Sequence, residues 1–271
     1  MSRPILVFDS GIGGLSVLGE IRKLLPQRQY CYLFDNARLP YGELAEAELI
    51  SGCVNLVVTM AKQIDAAIVV IACNTASTLV LPELRAQLTI PVVGVVPAIK
   101  PAAAISKRKH IGLLATPGTV KRAYTKELIN HFADDCRVEL FGCSELVLLA
   151  EAKAAGQVID IEEIARLLQP IIYSELDVLV LGCTHFPMLR SEIQQIVGTG
   201  VQLLDSGEAI AKRVKSLLQY QQEPTALKQI DNERAFYTSK EITEGLKSTL
   251  AEYGFVQTAK TSTSVIESNG G

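Results

Sequence analysis

Apolar residues fall into short continuous runs at 5–8, 30–34, 67–72, 92–96, 111–115, 137–141, 177–182, 201–204 and 235–238, each rich in Val, Ile or Leu. Such runs predict strands buried on both faces, with a buried helix segment as the alternative for any one of them. Between them, the stretches 14–25, 46–64, 78–88, 119–133, 161–173, 187–197 and 208–219 carry apolar residues at helical spacing. Strand and helix alternate along the chain, which predicts an α/β protein with mainly parallel sheets.

The pattern also repeats. Ile68-Val-Val-Ile-Ala-Cys73 aligns with Val178-Leu-Val-Leu-Gly-Cys183, each an apolar strand ending in a small residue and then cysteine. Upstream, Ile5-Leu-Val-Phe-Asp-Ser-Gly matches Ile111-Gly-Leu-Leu-Ala-Thr-Pro, and downstream the apolar runs at Val92 and Gln202 stay in step. Two pseudosymmetric α/β domains follow, with an active site expected at their interface. The crossovers are expected near Pro97–Pro101 and Ser206–Glu208, giving 1–97 with 208–271 as the first domain and 98–207 as the second. Thr238 and Glu241 stand at capping-box spacing ahead of an amphipathic run to Tyr253. Residues 260–271 are polar and are expected to be poorly ordered.

Composition narrows the function classes. The 271 residues are 48% hydrophobic and 20% charged, with 26 Lys+Arg against 29 Asp+Glu. A net charge of −3 gives no electrostatic footprint for nucleic acid. No apolar stretch approaches the roughly 18 residues of a membrane span, and the N-terminal apolar run is cut by Asp9, unlike a secretory signal. A cytoplasmic protein is expected. Six cysteines occur without a C-x-x-C pair, which argues against a cysteine zinc site and a redox motif. Cys31, Cys53, Cys136 and Cys143 read as inert thiols.

The other two sit where chemistry is expected. Asp9-Ser-Gly-Ile-Gly-Gly14 follows the first strand and precedes a helix, but Ser16 replaces the third glycine of a dinucleotide fingerprint and no P-loop lysine follows. What remains is a tight turn whose N–H groups suit a carboxylate, with Asp9 as a helix cap in the plainer reading. Ala72-Cys-Asn-Thr-Ala-Ser77 and Gly182-Cys-Thr-His-Phe-Pro187 each place a cysteine where a strand gives way to a helix. A helix N-terminus is expected to lower the thiol's pKa, and Asn74, Thr75, Thr184 and His185 add groups for a polar ligand. Packing explains one such cysteine; two at matched positions suggest a thiolate and a thiol facing each other, able to invert a stereocentre from both sides.

These motifs, with Pro40-Tyr-Gly42 as a fourth, resemble the signatures of bacterial glutamate racemases, and the resemblance runs from Ile5 to about Phe255. It implies interconversion of L- and D-glutamate without pyridoxal phosphate, metal or other cofactor, feeding D-glutamate to peptidoglycan synthesis. It implies Cys73 and Cys183 as catalytic thiols, Asp9 assisting the first and His185 with Glu151 assisting the second. Asp9, Ser10, Tyr41, Gly42, Asn74, Thr75, Thr116, Thr184 and His185 would hold the substrate. The chain departs from the family pattern at Phe186, usually tyrosine, and at Cys143-Ser144, usually Cys-Pro ahead of the glutamate matched to Glu151.

Several alternatives stay open on sequence. One is a racemase of the same superfamily acting on aspartate; others are a thiol-disulfide redox protein, a pyridoxal-phosphate enzyme using Lys62 or Lys100, and a binding module directed at a partner such as DNA gyrase. A homodimer and a cell-wall precursor as regulator are compatible with the resemblance, and the sequence fixes neither.

Overall fold

The computed structural model of the protein describes residues 3–219, 233–239 and 241–261. The first sheet has six parallel strands in the order β10-β9-β2-β1-β3-β4: β1 (Ile5–Asp9), β2 (Tyr30–Phe34), β3 (Ile68–Ile71), β4 (Val92–Gly94), β9 (Arg234–Tyr237) and β10 (Gln257–Lys260). A second sheet runs β6-β5-β7-β8, also parallel: β5 (His110–Ala115), β6 (Arg137–Gly142), β7 (Val178–Leu181) and β8 (Gln202–Leu204). The order β2-β1-β3-β4 in one sheet is the order β6-β5-β7-β8 in the other, so the repeat read from the sequence is a repeat of topology. Chain direction away from β1 and from β5 reverses between their two neighbours. In open parallel sheets that reversal leaves a crevice at the carboxyl ends of the strands, where ligands bind.

The helices that cross between strands are α1 (Leu15–Leu24), α2 (Glu46–Gln63), α3 (Asn74–Gln87) and α4 (Ile99–Ile105) in the first part of the chain. The middle carries α5 (Pro117–Lys121), α6 (Ala123–Phe132), α7 (Glu145–Ala154), α8 (Ile161–Leu167), α9 (Gln169–Ile172) and α10 (Arg190–Val197), and α11 (Gly207–Leu218) and α12 (Glu244–Glu252) follow. The central strands are buried at every position, β1, β3, β5 and β7 alike, because helices cover both faces. On one face of the first sheet α1 and α11 bury Leu18, Ile21, Ala211 and Val214 against Val7 and Val70. On the other, α2 and α3 bury Val57, Val80 and Leu84 against Leu6 and Val69. Each such aliphatic side chain contributes about 1.5–3 kcal/mol by leaving water.

All nine expected strands form, and most expected helices form with altered ends. The 119–133 stretch breaks at Arg122, whose extended backbone ends α5 and begins α6. The 161–173 stretch breaks at Leu168, where Pro170, lacking an N–H, opens a new turn. The 187–197 stretch starts as a 3-10 turn (Phe186–Leu189) with Pro187 in its first positions. The expected capping box is corrected: α12 is capped by Thr243, whose hydroxyl accepts from Leu246 N. Thr238 instead donates to the buried Asp35 Oδ1 at 2.6 Å, which ties β9 to the loop after β2. The expected poor order of 260–271 falls, from residue 262 onward, outside the described residues. Among the described residues no helix is long and apolar enough to cross a membrane.

Candidate active site

Four strand ends build the site. The carboxyl end of β1 delivers Asp9 and Ser10, and that of β3 delivers Cys73 as the N-cap of α3, with Asn74 and Thr75 in the first turn. The end of β5 delivers Thr116, which caps α5, and the end of β7 delivers Cys183, Thr184 and His185. A short 3-10 turn (Tyr41–Glu43) from the loop after β2 closes one side. Ser10, Tyr41, Gly42, Cys73, Asn74, Thr75, Thr116, Cys183, Thr184 and His185 line one cavity between the two sheets, joined by Pro40, which opens the fourth motif, and by Val147, which sequence reasoning did not single out. The cavity holds about 10 Å³, room for one water molecule. In this arrangement nothing larger than that fits between the two sheets.

The two thiols have different surroundings. His185, wholly buried, places Nδ1 3.7 Å from Cys183 Sγ and Nε2 2.7 Å from Glu151 Oε1. Burial works against the imidazolium, but the sulfur and the carboxylate at its two nitrogens outweigh it and raise its pKa well above the ordinary value. The result is a carboxylate–imidazole–sulfur line. Cys73 has no imidazole; its thiol donates to Ser10 Oγ at 3.7 Å. Burial pushes the Cys73 thiol up and the charge of Asp9 pushes it further, against the Ala76 N–H and the Ser10 hydroxyl. The expectation that the start of α3 lowers this thiol's pKa is thus overturned, because one helix-end N–H does not offset complete desolvation.

Asp9 and Glu151 lie behind the cavity wall and reach across from one half to the other. Asp9 Oδ1 accepts Gly11 N–H at 3.0 Å, and its Oδ2 accepts the Thr184 hydroxyl at 2.9 Å. It therefore braces the turn and does not cap α1, whose N-cap is Gly14 and which has no side-chain cap. Burial pushes the Asp9 carboxyl up to about 6, against the opposing charge of His185. In return Glu151 Oε1 accepts Ile12 N–H at 2.7 Å, and the Ser16 hydroxyl donates to Thr184 O at 2.9 Å. The Ile12 N–H of the glycine turn, which the sequence suggested for a ligand carboxylate, is taken by the chain's own Glu151.

Those glycines are needed for closeness. A Cβ at Gly11 would lie 2.0 Å from Glu151 Oε1, one at Gly13 2.6 Å from His185 Nδ1, and one at Gly14 2.7 Å from Asp9 Cβ. The fully buried Tyr32, which no motif signalled, donates to Gly11 O at 2.6 Å and holds the turn from behind.

Thr75, Thr116 and Thr119 hydroxyls form a triangle with sides of 3.0, 3.2 and 3.1 Å that joins the halves. Thr119 was missed, although its spacing from Thr116 marks the cap it bonds. Asn74 Oδ1 is buried without a partner, an acceptor facing a cavity of donors and thiols. The Tyr41 hydroxyl is spent on Asp35 Oδ2 at 2.5 Å, so what Tyr41 and Gly42 offer the cavity is main chain. Lys62 and Lys100 are exposed and do not line it. All six cysteines are free, and no group of three or more metal-ligating side chains occurs among the described residues.

The family model for Asp/Glu/Hydantoin racemase matches residues 10–214. A glutamate racemase of Shewanella sp. (strain ANA-3) is 65% identical over 275 residues, covering 100% of both chains. A second, from Shewanella sp. (strain MR-7), is 68% identical over 259 residues, with 94% of this chain and 95% of that one covered. Among solved structures, Escherichia coli glutamate racemase in complex with L-glutamate and the activator UDP-MurNAc-Ala superposes with a TM-score of 0.90 at 46% identity, covering 96% of this chain and 99% of that one.

Proposed function

The chain belongs to the Asp/Glu/Hydantoin racemase family and interconverts L- and D-glutamate, and we propose that Cys73 and Cys183 carry out the inversion from opposite faces of the α-carbon. The product D-glutamate feeds peptidoglycan synthesis. The observation that carries the two-thiol reading is the equivalence of β3 and β7: each is followed two residues on by a cysteine, and both cysteines line the same cavity.

The thiol–imidazole–carboxylate line gives the reaction a starting state. With His185 charged against its sulfur, Cys183 is the base and Cys73, next to the Asp9 carboxylate, retains its proton. Cys183 takes the α-proton from one face, and the electron pair left on carbon takes the Cys73 proton on the other. Cys183 is then a thiol and Cys73 a thiolate, the state from which the reverse direction begins, with Asp9 and His185 as the charges that trade places in importance. The orphaned Asn74 Oδ1 is suited to the substrate ammonium. The hydroxyls of Ser10, Thr75, Thr116 and Thr184 and the main chain of Tyr41 and Gly42 are suited to its carboxylates.

Residues 1–97 with 208–271, and 98–207, are read as the two domains that move apart to admit substrate. Six free thiols suit the reducing cytoplasm. The E. coli protein's complex with UDP-MurNAc-Ala supports control of this chain by a cell-wall precursor as well.

Circular dichroism of L-glutamate incubated with the purified protein tests the activity. The expected result is decay of the signal to zero at equal amounts of both enantiomers, with L-aspartate unchanged. Decay of aspartate and not glutamate would transfer the same chemistry to the shorter acid.

A further inference from the structure

Among the described residues lining the cavity there is no lysine and no arginine, yet glutamate carries two carboxylates against one ammonium. A cation stands just outside. Arg122 directly follows α5 and forms an ion pair with Glu46, the first residue of α2. The two belong to different halves of the molecule. Alpha-5 hangs from Thr116, while α2 begins just after the Tyr41–Glu43 turn, and these two arms meet over the cavity. A Cβ at Gly42 would lie 2.9 Å from Thr116 Cβ, and one at Gly118 would lie 2.9 Å from the Gly42 carbonyl oxygen. The ion pair lies on the solvent side of that contact: the Glu46 side chain is 61% exposed, whereas Arg122 is 17% exposed. Most of the guanidinium is covered, and its Nε is buried without an acceptor.

We propose that the Arg122–Glu46 pair is the latch of the cleft, and that Arg122, released when the arms part, is the cation that captures the incoming carboxylate. The proposal rests on the reading of the cavity as the glutamate site. A cavity of about 10 Å³ must widen to take glutamate, and widening between these arms separates Arg122 from Glu46. The freed guanidinium presents a planar fork matched to a carboxylate. When the arms close again Glu46 reclaims it, and the substrate carboxylate passes inward to the hydroxyls. One carboxylate replaces another at each stage, so Arg122 is never left covered and unpaired. An ion pair with one exposed partner is weak by itself, which suits a latch that opens at every turnover.

Steady-state racemisation in both directions, at ionic strengths from about 0.01 M to about 1 M, tests this with Arg122→Gln, Arg122→Lys, Glu46→Gln and the Glu46→Gln/Arg122→Gln pair. Wild-type kcat/KM is expected to fall with salt. Arg122→Gln is expected to lose roughly tenfold in kcat/KM at low salt and most of its salt dependence, with kcat changed less than about threefold. Arg122→Lys keeps the charge and the salt dependence, and Glu46→Gln frees the cation and steepens it. Amide hydrogen exchange at 41–43 and 116–122 is expected to rise in both single neutral variants, and no further in the double variant, as for one shared interaction. Unchanged salt dependence in Arg122→Gln, or additive exchange in the double variant, overturns the proposal. Should Arg122→Gln not fold, Arg122→Lys and Glu46→Gln decide it by the same readings. A wild type that leaves glutamate untouched overturns the reading of the site instead, and the exchange measurement still reports on the latch.

Discussion

Asp9 shows how a single buried group ties chemistry to stability. Its carboxyl is held at about 6 by burial, above the ordinary 3.8. Between those values the folded chain keeps the proton while the unfolded chain loses it. The contribution to stability is full below pH 3.8, is lost as pH rises through about 6, and amounts to roughly 3 kcal/mol, about 1.4 kcal/mol for each unit. Asp9→Asn is therefore expected to melt no lower than wild type at pH 8, measured by thermal unfolding. Its racemase activity should fall, because the charge facing Cys73 and Thr184 is gone. In wild type, kcat/KM should drop as pH falls through about 6, and that acid limb should vanish in Asp9→Asn. Most of the site was legible at this scale: Cys73 and Cys183 stood out by their matched strand ends. What could not be read was the balance of burial against helix-end charge at Cys73, since desolvation depends on everything packed around the sulfur. Tyr32 was likewise invisible, because its hydroxyl acts through a contact that sequence spacing does not encode, whereas Thr119 was marked by its spacing from Thr116 and overlooked.

Among the elements, the turn from Asp9 to Gly14 makes the clearest demand. Gly13 faces the backbone nitrogen of His185 at 2.7 Å from where a Cβ would be, and backbone cannot step aside as a flexible side chain can. Gly13→Ala is expected to keep the far-ultraviolet circular dichroism of wild type and to lose about 100-fold in kcat/KM, the cost of a shift near 1 Å at the imidazole. Gly19, inside α1, is the control. Its Cβ would meet only Tyr253 at 3.5 Å, so Gly19→Ala should retain activity and gain about 0.5–1 kcal/mol in chemical denaturation. The same scale shows where periodicity failed. Helices α4 and α7 and strand β10 went unassigned: the alanines of 99–105 and the near-uniform apolar content of 145–154 lack a polar face, and Gln257–Lys260 has the composition of a loop. Arg122 and Leu168 break runs whose apolar spacing continues across them. The Thr238–Glu241 spacing mimicked a cap because a threonine hydroxyl serves a distant aspartate as readily as its own helix.

For the whole molecule, two sheets of matching order face each other with their carboxyl ends together, and the bonds between them alternate in origin. Asp9 of one half binds Thr184 of the other, and Glu151 of the second binds Ile12 of the first. In the proposed mechanism, closure of the halves and assembly of the proposed catalytic groups are therefore one event. Bound glutamate is expected to slow amide exchange in 41–43 and 116–122, relative to the free protein; equal exchange in both states would contradict closure around substrate. Parallel strands, the internal repeat and the interface site were legible because each unit repeats the same apolar runs and the same cysteine. The tightness of the closed cavity was not, because it depends on how the halves meet.

The most direct test of the two-thiol inversion is proton NMR of L-glutamate in D2O with wild type, Cys73→Ala and Cys183→Ala. Wild type is expected to replace the α-proton by deuterium as D-glutamate accumulates, and each single variant to form no D-glutamate while remaining folded. Continued racemisation by either variant would contradict the assignment, since one thiol cannot serve both faces of the α-carbon.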